Sequence, residues 1–385
     1  MLRLSSDART IRLPALATAH SHAFQRAMRG TSQRRGSDPK DDFWTWRGQM
    51  YRIADALTPE SIFATSRVAF GELARAGVRT VGEFHYVHHQ KDGTPYDDRT
   101  ILSDAVIAAA KAEGLRIALL RVAYHRGGPG IAAEGTQRRF SDSGIDDVLR
   151  DVDTLRLRYA NDPDVRIGLA PHSVRAVPPA WLAPLAEYAS LHHLPLHMHV
   201  AEQPREITEC LAETGKRPVE LLADRGVLSE RFVAVHATHL LAHEASMLGV
   251  AHAFACICAT TERDLGDGIP DLTALRNTGA RLCVGIDSHV MTDPFEELRA
   301  LETLERLRTQ RRITWQPSQG TLAEQLWNEG SIASARACGF ADTGGQIVID
   351  RAHPTLALVD DALLLDAIVF SGGPSLVAGV EPGSP

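Results

Sequence analysis

The chain has 385 residues, of which 44% are hydrophobic and 23% charged, with a net charge of −7. This is the composition of an ordinary folded protein with one large domain, or one large and one small. It excludes a basic nucleic-acid surface, and the lack of any apolar run near 18 residues excludes a membrane span.

In chain order, eight short apolar, β-branched runs alternate with helical stretches. The runs cover 13–20, 78–85, 116–124, 165–172, 194–199, 232–236, 252–260 and 281–287. Most are continuously hydrophobic, as expected for parallel strands buried on both faces. Helical patterns occupy 59–76, 104–113, 145–159, 179–192, 204–213 and 294–308, and Pro59, Pro179, Pro204 and Pro294 sit at first-turn positions. Gly77 and Gly114 fall where C-cap glycines end a helix. Both a doubly wound sheet and a barrel alternate β and α. Eight units favour an α/β fold of the (β/α)8 TIM type, assigned to residues 14–340.

Beyond residue 312 the pattern changes. A helix is expected over 321–337, followed by short strands in GGQIVID, TLALVD and AIVFSGG, and the tail VAGVEPGSP is expected to lack order. Residues 1–13 and 341–385 are assigned to a small, reduced β appendage built from the two termini. The N-terminal MLRLSSDART lacks the apolar core of an export signal, and five cysteines are too few and odd for a disulfide framework. The expected location is therefore the cytoplasm. Cys256-Ile257-Cys258 lies in an apolar run with no second pair, and reads as buried strand rather than a soft-metal site. Gly266-Asp267-Gly268 reads as a turn.

The informative feature is what the runs end in. Seven end in or just before HSH (20–22), EFHYVHH (83–89), YH (124–125), PHSVR (171–175), HMHVAEQ (197–203), HATH (236–239) or DSH (287–289). These segments hold twelve of the 17 histidines. In a barrel all C-terminal strand ends converge on one face, where barrel enzymes do chemistry.

His20 and His22, two apart on a strand, point to the same side and can grip one ion. His199 adds a third imidazole and Asp287 a carboxylate, a donor set that suits Zn2+, although iron or another divalent ion uses the same atoms. His197 shares the strand face of His199 but is expected inside the barrel as a supporting residue. Barrel hydrolases with two metals bridge them through a carboxylated lysine ending the fourth strand. Here that strand ends Leu169-Ala170-Pro171-His172, so one ion is expected. A bound ion lowers the pKa of water towards about 7. Asp287 and His236 can take that proton, and Glu202, just past the fifth strand, can protonate a leaving nitrogen. Arg47 and Arg175 near the rim are fork-shaped donors suited to carboxylates, with Gln25 and Tyr86 close by.

These strings resemble the amidohydrolase superfamily and, within it, the formimidoylglutamate deiminases. HSHAFQRAMRG, FWTWRGQMY, VGEFHYVHH, GLAPHSVRAV, HMHVAEQPREI, VHATHL, TTERDLGDGI and DSHV run in that family's order across most of the chain. The resemblance implies zinc on His20, His22, His199 and Asp287, and proton transfers by Glu202, His236 and Asp287. It implies substrate contacts from Gln25, Arg47, Tyr86, His172 and Arg175. The implied reaction converts N-formimino-L-glutamate to N-formyl-L-glutamate and ammonia in histidine degradation. The implied partner is thus a small dicarboxylate, and a homodimer is implied as well. The family tends to have Gly where Ala15 stands, and a serine in the approach occupied by Gly285-Ile286-Asp287. Two other readings stand beside this one. A nucleobase deaminase would not need Arg47 and Arg175. A catalytically dead binding relative would lack a ligand or acid/base residue, and none is lacking.

Overall fold

The computed structural model describes residues 5–6, 9–34 and 41–383. Eight parallel strands form its centre: β1 (Leu16–Ser21), β2 (Val78–His85), β3 (Arg116–Ala123), β4 (Val165–Pro171), β5 (Leu196–Val200), β6 (Phe232–His236), β7 (Phe254–Ile257) and β8 (Arg281–Val284). They are hydrogen-bonded in chain order, from β8 through to β1. Helices between them cover the outside. Buried on one face by these helices and on the other by the interior, the strands need apolar residues at every position, which is why their sequences do not alternate. In β3 all eight residues are buried.

The ring closes at its C-terminal rim. Ser21 bridges Asp287 in parallel register. Asp287 N donates to His20 O at 3.0 Å, and His22 N donates to Asp287 O at 2.9 Å. Gly285 makes the approach feasible: a Cβ there would lie 2.8 Å from His20 Cβ and 2.7 Å from Cys258 Sγ. The fold is a TIM-type barrel.

The opposite end is stoppered. The helical stretch expected over 321–337 runs as Leu322–Asn328, a π-turn at Glu329–Ala333, and Ser334–Ala337. Ala335, Ala337, Cys338 and Phe340 pack against Ala17, Val233, Val235, Cys256 and Cys283 inside the barrel. His197 Nε2 donates to Ala337 O at 2.8 Å, so this histidine ties β5 to the stopper. Cys256 and Cys258 are buried free thiols, and Gly266 ends a helix in the left-handed conformation.

Several expected boundaries move. The run 13–20 is two strands. Thr10–Pro14 pairs antiparallel with Gly345–Asp350, and β1 starts only at Leu16. Apolar content is continuous across the break, so the pattern carries no mark of the change of sheet. AIVFSGG is not a strand: Leu364–Ser371 is a helix that buries Leu364, Leu365, Ile368 and Val369. A seven-residue apolar window is too short to separate the two periods. TLALVD (355–360) is not a strand either; its first two residues complete the short turn Pro354–Leu356. The tail is ordered through Val377–Pro382, an edge strand on Gly345–Asp350, where the terminal proline costs no ladder bond. Ser384 and Pro385 lie outside the described residues. The terminal sheet therefore has the order Ser5–Ser6, Thr10–Pro14, Gly345–Asp350, Val377–Pro382.

Candidate active site

At the open rim the strand ends bring together His20, His22, His199, Glu202, His236 and Asp287. His20 Nε2 lies 3.2 Å from both His22 Nε2 and His199 Nε2. Asp287 Oδ1 is 3.5 Å from His20 Nε2 and 3.4 Å from His22 Nε2. Two of the rings are held from behind: His22 Nδ1 donates to Phe84 O at 2.9 Å, and His199 Nδ1 to His172 O at 3.1 Å. Donating at Nδ1 leaves the Nε2 lone pairs facing one point. Burial pushes His20 down to about 3 and lowers His22 and His199, so all three rings are neutral. Burial favours a protonated Asp287, but the hydrogen bond from His20 and the charged His236 beside it outweigh it and hold the carboxyl below its usual range.

This donor set fits a divalent ion. A tetrahedral zinc with Zn–N distances of about 2.0–2.1 Å spaces its nitrogens by roughly 3.3 Å. Neutral imidazoles and an ionised carboxylate are also the protonation states that metal binding requires.

The strand carrying His20 and His22 has a support that sequence reading left unassigned. Glu83 at the end of β2 accepts from Ser21 Oγ at 2.6 Å and from Ala23 N at 2.8 Å. Ser21 Oγ also meets His289 Nε2 at 2.8 Å. Glu83 stood in the EFHYVHH string, but its partners lie about sixty residues away in sequence, so no local pattern marked it.

Glu202 and His236 flank the histidine cluster. His236 Nε2 is 3.7 Å from Glu202 Oε1 and 3.9 Å from Asp287 Oδ2, and its Nδ1 is 3.2 Å from Glu262 Oε1. Burial favours a neutral His236, but Glu202, Glu262 and Asp287 outweigh it and push the ring up to about 10. Burial raises Glu202 above the usual carboxylate range, against the pull of His236.

Above these groups lies a pocket of about 550 Å³. Of the eleven residues singled out from the sequence, all but His20 line it; His20 lies fully buried beneath. Gln25, in the turn Ala23–Met28, donates to Tyr86 Oη at 2.8 Å. His172 and Arg175 follow β4. The backbone of Arg175 is fixed by Arg126, which donates to Arg175 O and Val174 O at 3.0 Å each. Arg47 comes from the helix Phe43–Asp55, which starts where Asp42 caps Trp44 N and Thr45 N.

The guanidiniums of Arg47, Arg175 and Arg205 gather round the Trp44 ring, at 4.5, 5.4 and 4.4 Å from its centre. Burial lowers Arg47 from its usual value, and Arg175 and Arg205 beside it add to that. Among the described residues no carboxylate lies in ion-pair range of Arg47 or Arg175, whereas Arg205 pairs with Glu209 at 2.6 Å. Nη1 of Arg47 is buried without a partner. Two cations facing the pocket with no acid in ion-pair range leave room for an anion.

The aromatic wall was not foreseen: Phe43, Trp46, Tyr51, Tyr124 and Phe140. Gln137 donates to Tyr51 Oη at 3.1 Å and Tyr124 Oη at 3.0 Å, aligning the two phenols. Tyr124 stood at a strand end and was legible as such. Gln137 sits in the short 3-10 turn Gly135–Arg139 and Phe140 caps its end, in a segment too short to carry a pattern of its own.

Known proteins resemble this chain in sequence and in fold. The amidohydrolase family profile matches residues 11–352. The chain is 38% identical to the formimidoylglutamate deiminase of Pseudomonas aeruginosa, over 96% of this chain and 82% of that one. It is 29% identical to the 8-oxoguanine deaminase of the same organism, over 87% and 72% of the two chains. Among solved structures, an amidohydrolase from Brucella melitensis superposes with a TM-score of 0.86 at 31% identity, covering 98% of this chain and 90% of its own. A zinc-bound adenosine deaminase from Xanthomonas campestris shares the fold, with a TM-score of 0.79 at 21% identity over 97% and 79% of the two chains. A family match over most of the chain, on a barrel that gathers histidines and an aspartate at its rim, places the chain in the amidohydrolase family.

Proposed function

We propose that the chain hydrolyses the formimino C–N bond of N-formimino-L-glutamate, giving N-formyl-L-glutamate and ammonia in histidine degradation in the cytoplasm. The observation that carries this reading is the pair Arg47 and Arg175, free of acidic partners among the described residues, in the pocket that also holds the histidine–aspartate cluster. The 38% identity to a formimidoylglutamate deiminase supports it.

In this reading His20, His22, His199 and Asp287 hold one divalent ion, zinc by donor type. Such an ion supplies the positive charge that makes water a nucleophile near neutral pH. Asp287 accepts its proton, and His236, kept protonated by the carboxylates around it, orients the water and passes a proton on to Glu202. The oxygen adds to the formimino carbon, and the C=NH nitrogen becomes the leaving group. Glu202 delivers the proton that lets it depart as ammonia. Arg47 and Arg175 bind the carboxylates, while Gln25, Tyr86 and His172 orient the arm between them and the reacting carbon.

The aromatic wall favours one competing reading, a planar nucleobase stacked on Tyr124 or Phe140. The deciding experiment is ammonia release from N-formimino-L-glutamate, its aspartate analogue and a set of nucleobases, on protein of known metal content. Faster release from the glutamate compound is expected. Faster release from a neutral heterocycle would overturn the assignment.

A further inference from the structure

Beside the histidine–aspartate cluster lies a second group of metal-capable atoms. Glu202, His236 and Asp267 each offer one ligand atom, and these atoms all lie within 4.8 Å of one another. All three side chains are buried. None of them belongs to the set that holds the first ion.

The surroundings are those of a ligand set. His236 points Nδ1 at Glu262 Oε1, 3.2 Å away, which turns Nε2 towards Glu202. A carboxylate behind the far ring nitrogen is the usual support of a metal-binding histidine. Asp267 is held in the same manner: Gln203 Nε2 donates to its Oδ1. The other oxygen, Oδ2, has no partner, although Asp267 is only 4% exposed. A buried carboxylate oxygen without a donor calls for a cation or a proton. Glu202 and His236 both line the pocket, so an ion entering with solvent reaches them directly.

We propose that Glu202, His236 and Asp267 form a second, weaker divalent-cation site, and that an ion bound there inhibits the enzyme. One imidazole and two carboxylates suit zinc or manganese, with fewer nitrogen donors than the first site offers. Occupation takes up the Glu202 carboxylate and displaces the proton of His236, the two groups assigned to proton transfer, so the ion and the reaction exclude each other. The binding claim stands on geometry alone; the inhibition rests on the proton-transfer roles of Glu202 and His236 proposed above.

The test is titration of Zn2+ alone into holoenzyme that carries one ion, with bound metal measured after equilibrium dialysis and activity measured in parallel. Bound zinc is expected to rise from one to two per chain, with activity falling over the same concentration range. Asp267→Asn should keep the first ion, which reports that it is folded, and weaken the second by about tenfold or more. Gln203→Leu, which frees Asp267, should weaken it too and serves if the first variant fails to retain its ion. A parent enzyme that stays at one ion, or variants that take up the second as well as the parent does, would overturn the site. Inhibition without a second bound ion would overturn it equally. If no substrate yields ammonia, dialysis still decides the binding claim.

Discussion

His236 and Asp287 both have positive φ, 70° and 57°, a region that costs a side-chain-bearing L residue of order 1–2 kcal/mol. His236 is the last residue of β6 and Asp287 lies three residues past β8, and both side chains line the pocket. Hydrogen bonds across the closing seam hold that conformation at Asp287. Because Glu202, among the described residues, has no hydrogen bond or ion pair to any of the four residues assigned to the ion, Glu202→Gln is expected to leave metal content at the parent level. Turnover should drop by about a thousandfold, the scale of lost acid–base catalysis. Unchanged turnover would remove Glu202 from the proton path. Arg175→Met is expected to raise KM for a dicarboxylate substrate by about tenfold or more, with little change in thermal midpoint. An equal loss on a neutral amidine would show that Arg175 supports structure and not the carboxylate. Most of the residues named from the sequence were legible because they end or closely follow a strand, and a barrel converts that position into proximity; Arg47 comes instead from the helix Phe43–Asp55. Glu83, Glu262 and Gln137 were not legible, because their roles are set by partners on other elements that the fold brings alongside them.

At the scale of elements, the seam between β8 and β1 is the sensitive point. A methyl group at Gly285 meets His20 and Cys258 at distances that side chains do not tolerate. Gly285→Ala is therefore expected to cost about 1–3 kcal/mol in denaturant unfolding and to weaken metal retention, since His20 must shift. Gly48, inside the helix Phe43–Asp55, has nothing within 4 Å of the same added atom. Gly48→Ala should instead stabilise by roughly 0.5–1 kcal/mol, the usual helix gain. If the two substitutions behave alike, steric closure is not what Gly285 provides. The central strands and the helices that begin at Pro59, Pro179, Pro204 and Pro294 follow from periodicity and end signals, whereas the short helices Pro218–Asp224, Ala242–Val250, Ala259–Leu265 and Leu272–Thr278 were not marked out. Nor was the segment 354–371, because its apolar residues come in windows shorter than two helical turns.

At the scale of the whole molecule, the count of eight units was readable, and with it the convergence of the rim. Which terminal residues pair with which was not, since the sheet joining Thr10–Pro14 to Gly345–Asp350 brings together segments more than three hundred residues apart. The segment through Ser334–Ala337 to Phe340 also plugs the barrel, and this governs traffic. With that end filled by Ala335, Ala337, Cys338 and Phe340, everything must pass through the aromatic-walled mouth beside Trp46 and Phe140. Ammonia is small enough to leave first, whereas the formylated acid must back out along the path its precursor took, past the same arginines. The product should therefore compete with the substrate for the free enzyme: added N-formyl-L-glutamate is expected to raise the apparent KM for N-formimino-L-glutamate without lowering kcat. A fall in kcat at constant KM would mean that the two molecules do not share one doorway.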